Sequence, residues 1–227
     1  MEIVEKYSAI FPVRDDLASL LVSLPFLVSQ SKLLGEIIVV VDDEADPSRR
    51  IKSLDLENLS ILVNRKYGVY DAIATAVESS KFPFVIIGAA DDFLPLLKFD
   101  EICLSLAQGK DFTSATRYSK KGKRYGGSTI GKVFSIVANA LLRIAYPNTF
   151  SDFTTGFKGF RKDNWTVLAM QANGSGWSCA LKFSLNAIKN QLQIYEVPVI
   201  SVDRIVGGSS TFRPWLWIKS YLRMLII

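Results

Sequence analysis

The chain of 227 residues carries 27 basic and 22 acidic side chains, a net charge of +5, with 49% hydrophobic residues, which suits a globular chain with a sizeable core and argues against disorder. Histidine is absent, which excludes Ser-His-Asp hydrolases, Cys-His proteases and imidazole-bound metals; any metal must be held by oxygen, favouring Mg²⁺ or Mn²⁺. The modest positive excess suits phosphates or an anionic membrane surface, and no nucleic-acid partner is expected.

Residues 1–6 are charged and lead straight into a strand, so no signal peptide is expected. Residues 7–13 read as that strand, ending in Arg14-Asp15-Asp16. Either aspartate can cap the next helix, in which Leu17, Leu20, Leu21 and Leu24 fall at helical spacing and Pro25 predicts a kink or an early stop. Residues 36–41 form a second apolar strand ending in Asp42-Asp43, and a short helical or looped piece over 47–54 leads to a third at 59–63, ending in Asn64-Arg65-Lys66. A helix over 68–77 then delivers the chain to residues 84–87, Phe-Val-Ile-Ile, a run with no polar alternation that predicts burial on both faces. It passes through Gly88-Ala89-Ala90, small residues that leave room for a bulky group, into Asp91-Asp92.

A helix over 96–106 and a fifth strand over 112–118 complete an alternation of β and α, the pattern of a mostly parallel α/β sheet with helices on both faces. Residues 119–127 are basic and glycine-rich, read as a mobile surface loop or a lid over an anion. An apolar helix over 129–146 follows, with Lys132, Ser135, Asn139 and Arg143 among its few polar residues. A turn at 151–156, a short strand at 157–161, two helical pieces flanking 173–176 and a last strand over 193–202 complete the domain, with Pro198 arguing for an edge or bulge. Cys103 and Cys179 read as reduced core residues, and no apolar run reaches the roughly 18–20 residues needed to span a bilayer.

Charge collects where these strands end. Right-handed crossovers put Arg14/Asp15/Asp16, Asp42/Asp43, Arg65/Lys66, Asp91/Asp92 and Arg117 on one edge of the sheet, where open α/β sheets bind ligands. Any one of them alone reads as a solvated strand exit; together they predict a site for a metal and the diphosphate it neutralises. No Gly-x-Gly-x-x-Gly or phosphate loop follows a strand, which disfavours dehydrogenases and P-loop ATPases.

Several stretches, in order and at fitting spacing, resemble family 2 glycosyltransferases of the GT-A (Rossmann-like) fold, most of all dolichyl-phosphate mannose synthases and other polyprenyl-phosphate sugar transferases. They are Pro12-Val13-Arg14-Asp15-Asp16, the strand ending at Asp42-Asp43, Gly68-Val69-Tyr70-Asp71-Ala72-Ile73, Thr116-Arg117-Tyr118, Ser151-Asp152-Phe153-Thr154-Thr155-Gly156-Phe157, and Glu196-Val197-Pro198-Val199 with Asp203-Arg204. The resemblance implies an inverting, metal-dependent transfer from a nucleotide sugar to a polyprenyl or dolichyl phosphate at the cytoplasmic membrane face. It implies that Pro12, Val13, Arg14, Asp16, Asp42, Asp43, Ala90 and Asp91 meet the nucleotide sugar. Asp91, with or without Asp92, would bind Mg²⁺ or Mn²⁺, and Arg117, Lys132, Ser135 and Arg204 would meet the acceptor phosphate or the leaving diphosphate. The pattern departs from the family at Ala89, where the first acid of its metal motif would stand, at Gly131 and at Ser210.

A phosphate acceptor is already a dianion near neutral pH and needs no base; a glycan hydroxyl acceptor would need one, for which Asp152 is the candidate, capping of its turn being the other reading. A non-catalytic relative that binds a nucleotide or a membrane partner is the third alternative. Residues 1–211 read as the transferase domain, with 1–118 as the nucleotide half and 119–211 as the acceptor half. Residues 212–227 read as a closing helix, either docked on the core or lying on anionic lipid.

Overall fold

The computed structural model describes residues 5–174 and 176–203; Arg204, Ser210 and the helix expected over 212–227 lie outside the described residues. A seven-stranded sheet runs in the order β3-β2-β1-β4-β7-β5-β8, with β1 at Tyr7–Val13, β2 at Leu34–Val41, β3 at Leu59–Val63, β4 at Phe84–Ile87, β5 at Phe112–Thr116, β7 at Lys158–Arg161 and β8 at Ile194–Pro198. β7 pairs antiparallel with both its neighbours, and the other pairs in this sheet are parallel. Both expected halves contribute strands to this one sheet.

β4 occupies the middle of the sheet, and its four residues are fully buried. Ile37, Val39 and Val41 of β2 face one core with Leu20, Leu24 and Leu27 of α1 (Leu17–Gln30) and Phe99, Ile102 and Leu106 of the 99–107 helix. Ile38 and Val40 face the other core, with Ile73 and Val77 of α2 (Val69–Ser79) and Phe183 and Leu185 of the 178–189 helix. Two covered faces explain why the strands read as continuous apolar runs, each large side chain contributing about 1.5–3 kcal/mol by burial. The helix Phe99–Ala107 is α3 and Ser178–Lys189 is α6; α4 (Thr129–Ala145) and α5 (Trp165–Ala169) stand between them. Cys103 and Cys179 are free and buried, as the sequence suggests.

Four local expectations change. α1 runs through Pro25 without the early stop; the carbonyl its ring leaves without a helical partner belongs to Leu21, on the helix's exposed side and open to solvent. Neither Asp15 nor Asp16 caps α1 through its side chain. The last strand is two: β8 forms the sheet edge, as Pro198 predicts, and β9 (Ile200–Asp203) leaves to pair in parallel with β6 (Lys123–Gly126). The basic segment therefore carries a strand, and its Gly122 lies so close to β5 that a Cβ would stand 2.5 Å from the Thr116 carbonyl oxygen.

The fourth concerns Gly88, whose smallness serves packing: a Cβ there would lie 2.5 Å from the Phe11 ring. Gly88→Ala is expected to destabilise the chain by about 1–3 kcal/mol through overpacking, read from denaturant unfolding; a loss below about 0.5 kcal/mol would show that the ring yields freely.

Candidate active site

β1, β2, β3, β4, β5 and β8 point the same way, so their carboxyl ends share one edge of the sheet. In register, Pro12 lies beside Val40 and Val13 beside Val41, which brings Arg14 and Asp42 out of neighbouring strands at one level. β4 leaves the ladder earlier: its last residue Ile87 pairs with Ile10, and the Gly88 N–H still donates to the Ile10 carbonyl at 2.9 Å. Ala89 to Asp92 thus cross the edge as a loop rather than as strand.

Each exit is braced. The backbone turns at Asp15 with φ 48°; the Asp15 N–H donates to Asp46 Oδ2 at 3.1 Å and the Asp16 N–H to Ser48 Oγ at 2.8 Å, both acceptors on or next to the 3-10 helix Pro47–Leu54. Asp42 Oδ1 accepts from Asn64 Nδ2 at 3.1 Å, and the same amide donates to the Gly68 carbonyl, joining the ends of β2 and β3 to the start of α2. Gly68 has φ 114°, a conformation that favours glycine. The Asp43 carboxylate accepts from the Ala45 N–H and stays exposed. Arg65 does not join the site, for it pairs with Glu78 of α2 on the exposed surface.

The two aspartates after β4 divide. Asp92 is buried; its Oδ2 accepts from Ser201 Oγ and its Oδ1 from the Val202 N–H at 3.0 Å. It fastens β9 to the loop. Asp91 is only half-buried, with Ala90 packed beneath. Among the described residues, no group of three or more carboxylates and thiols could hold a metal by itself.

Arg117, one residue past β5, is the most tightly determined cation of the site. Its Nε donates to Asp152 Oδ2 at 2.7 Å and its Nη2 to Asp152 Oδ1 at 3.1 Å, a two-pronged pair with a fully buried carboxylate. Nη2 also donates to Thr154 Oγ1 at 3.0 Å and to Ser135 Oγ of α4 at 3.4 Å. Asp152 accepts in addition from the Thr154 and Thr155 N–H groups, while Asn139 of α4 reaches Thr154 Oγ1 at 3.1 Å and takes the Phe153 N–H at 2.7 Å. Behind the turn, Glu196 of β8 accepts from the Ser151 N–H, the Ser151 hydroxyl and the Asp152 N–H. Burial alone would raise the Asp152 carboxyl, but the charge and hydrogen bonds of Arg117, helped by Lys158, hold it at about 2. Asp152 is fully buried and fixes Arg117, a position ill suited to a base for an acceptor hydroxyl. Lys132 is exposed on α4, one turn before Ser135.

Lys158 was not singled out from the sequence. It is fully buried on β7, its Nζ donating to Ser114 Oγ and Ser184 Oγ at 2.8 Å each and to the Phe153 carbonyl at 3.3 Å. Burial pushes its ammonium down, Asp152 and Glu196 push it up, Arg117 pushes it down again, and the result is about 7. Above that value and below the ordinary lysine 10.5, the unfolded chain holds a proton the folded chain has released, so stability rises with pH across the window. The unfolding free energy of wild type, less that of Lys158→Met, is expected to grow between pH 7 and 9 by up to about 1.4 kcal/mol per unit. A difference flat with pH would mean an ordinary ammonium.

No known family model matches the chain. Among solved structures, it is similar to glucosyl-3-phosphoglycerate synthase from Mycobacterium tuberculosis. The complex of that protein with Mn²⁺, UDP-glucose and phosphoglyceric acid matches with a TM-score of 0.74 at 14% identity, over 98% of this chain and 79% of that one. Its complex with Mg²⁺ and UDP matches at 0.71 and 13%, over 98% and 78%. At such identity the likeness is one of architecture, and it agrees with the sheet described above: the chain has the GT-A fold, an α/β arrangement with a mostly parallel sheet between helices.

Proposed function

We propose that the chain transfers a sugar from a nucleotide diphosphate sugar to a phosphate acceptor, and that the acceptor is a membrane lipid phosphate of the polyprenyl or dolichyl type. The observation that carries this reading is Arg117, a guanidinium held rigid by a buried carboxylate beside the hydroxyls of Ser135 and Thr154. Such a cluster is an anion receptor fixed in advance, its donors placed before charge develops. Pro12, Val13, Arg14, Asp16, Asp42, Asp43, Ala90 and Asp91 lie on the same edge of the sheet and would take the nucleotide sugar.

The donor set fits a divalent metal. Mg²⁺ commonly binds one or two carboxylates together with substrate phosphates rather than an all-protein cage, and Asp91 supplies one such carboxylate beside a chain free of histidine. When bound there, Mg²⁺ or Mn²⁺ neutralises charge on the leaving diphosphate. The similar solved structures, bound to Mn²⁺ or Mg²⁺ with UDP, support a divalent metal as the cofactor.

The acceptor phosphate oxygen forms the new bond to the anomeric carbon as the bond to the nucleoside diphosphate breaks, its electron pair leaving with the diphosphate. One displacement inverts the anomeric centre. A glycan hydroxyl is disfavoured because the base proposed for it, Asp152, is sealed in the interior. A small soluble phosphate ester is the second reading, favoured by the phosphoglyceric acid bound in a solved relative. The test is incubation with a panel of nucleotide sugars, Mn²⁺, and either a short polyprenyl phosphate, 3-phosphoglycerate or an oligosaccharide. Transfer to the prenyl phosphate with inverted configuration is expected; transfer only to one of the others, retention of configuration, or no turnover by folded protein would refute the lipid-phosphate reading.

A further inference from the structure

Aromatic side chains are scarce where the first four strands leave the sheet. The exits over residues 12–16, 42–46 and 88–92 hold none, and the exit of β3, residues 64–68, holds Tyr67. Tyr67 is 77% exposed, and among the described residues its side chain makes no ring pair and no hydrogen bond. The neighbouring aromatics of the rim are engaged. Phe93 packs edge-on against Phe26 with ring centroids 5.3 Å apart, and the Tyr118 hydroxyl donates to Ser135 Oγ at 3.0 Å.

The segment that carries Tyr67 is held at both ends. The Asn64 N–H donates to the Val41 carbonyl at 2.7 Å, which extends the β2–β3 ladder one residue past β3. The buried Asn64 side-chain amide bridges Asp42 Oδ1 and the Gly68 carbonyl at 3.1 Å each, and Asn64 Oδ1 accepts from the Lys66 N–H at 3.4 Å. On the other side of the tyrosine, the Gly68 N–H donates to Asp42 Oδ1 at 3.4 Å, and the Gly68 carbonyl accepts from the Ala72 N–H at the start of α2. Tyr67 therefore stands one residue from an amide that touches Asp42, on backbone fixed before any ligand arrives. A tyrosine so placed gives a large contact area at little cost in conformational freedom.

The strand order says what would reach it. From Asp91 at the end of β4, the edge runs through β1 with Pro12 and Arg14, then β2 with Asp42, to β3, the last strand on that side. Three strand spacings separate the two ends, roughly 14 Å, which is within the reach of an extended nucleoside diphosphate whose phosphates lie at Asp91. The far end of such a ligand is its base, and every base has a π-face that an aromatic side chain can stack on.

We propose that Tyr67 is the platform on which the base of the nucleotide stacks, a binding residue outside every stretch that carries the sequence resemblance. The assignment rests on the nucleotide-sugar reading above and adds to it the residue that separates a nucleotide from a bare diphosphate.

Calorimetric titration of the full chain with UDP, GDP and inorganic pyrophosphate, each with Mn²⁺, compares wild type with Y67A and Y67F. Y67A is expected to bind the nucleotide that wild type takes up roughly tenfold or more weakly, the loss of one base–aromatic contact, with pyrophosphate affinity and thermal unfolding unchanged. Y67F keeps the ring and is expected to match wild type. Equal nucleotide affinity in wild type and Y67A would overturn the proposal, as would an equal loss for pyrophosphate, which would mark a general disturbance of the edge. Nucleotide binding that depends on Tyr67 in a chain that transfers no sugar would uphold the platform and refute the transferase reading. Sugar transfer by Y67A with the wild-type KM for the donor would uphold the transferase and refute the platform. A folded wild type that binds neither nucleotide would refute both.

Discussion

Arg117→Met is expected to lower stability by about 3–5 kcal/mol, because it leaves the fully buried Asp152 carboxylate without its principal counter-charge. The cost should fall toward the lower end. Arg117 is one of the influences holding the Lys158 ammonium down, so its removal lets Lys158 take up a proton and answer part of the charge. The double replacement R117M/D152N removes both members of the pair and is expected to recover a portion of the loss. At temperatures where the variant remains folded, its transfer rate should drop roughly 10²–10³-fold, the usual consequence of losing one preorganised donor. Equilibrium unfolding of the two single variants and the double closes the cycle. A loss below about 1 kcal/mol for R117M would mean that the pair is not the buried clamp the geometry indicates.

Asp91 and Asp92 are neighbours in sequence with opposite expected phenotypes. Asp91→Asn should abolish the ability of Mn²⁺ to strengthen nucleoside diphosphate binding, whatever it costs in stability. Asp92→Asn should leave that ability in place. It weakens the acceptor for Ser201 and the Val202 N–H and is expected to cost about 1–3 kcal/mol, while the metal dependence of binding persists. Titration calorimetry with UDP or GDP, with and without Mn²⁺, reads one effect and denaturant unfolding the other. Matching behaviour of the two variants would show that the division of roles is wrong.

The parallel architecture was legible because the strands Ile37 to Val41 and Phe84 to Ile87 are buried on both faces, and burial on both faces writes itself as an unbroken apolar run. The clustering of strand exits followed from handedness alone. Side-chain destinations were not legible. Whether Asp91 or Asp92 turns inward depends on β9, some 110 residues later in the chain, and no local pattern records that. Arg65 reads as a member of the rim until α2 offers it Glu78. Lys158 was invisible for the same reason: its solvation comes from Ser114, Ser184 and the Phe153 carbonyl, each on a different element. The early stop read at Pro25 is absent because the carbonyl the proline leaves without its helical partner, that of Leu21, lies on the exposed side of α1. Asn139 and Ser135 did stand out as polar residues in an apolar helix, and they prove to be its attachment to the Arg117 cluster.

The reading as a whole depends on a diphosphate resting at the carboxyl edge of the sheet against Asp91. A crystal structure of the chain with a nucleoside diphosphate and Mn²⁺ tests this most directly. The account predicts the metal on an Asp91 oxygen, bridging to the diphosphate, with the nucleoside running toward Pro12 and Asp42. A nucleotide bound elsewhere on the molecule, or a metal held without Asp91, would contradict it.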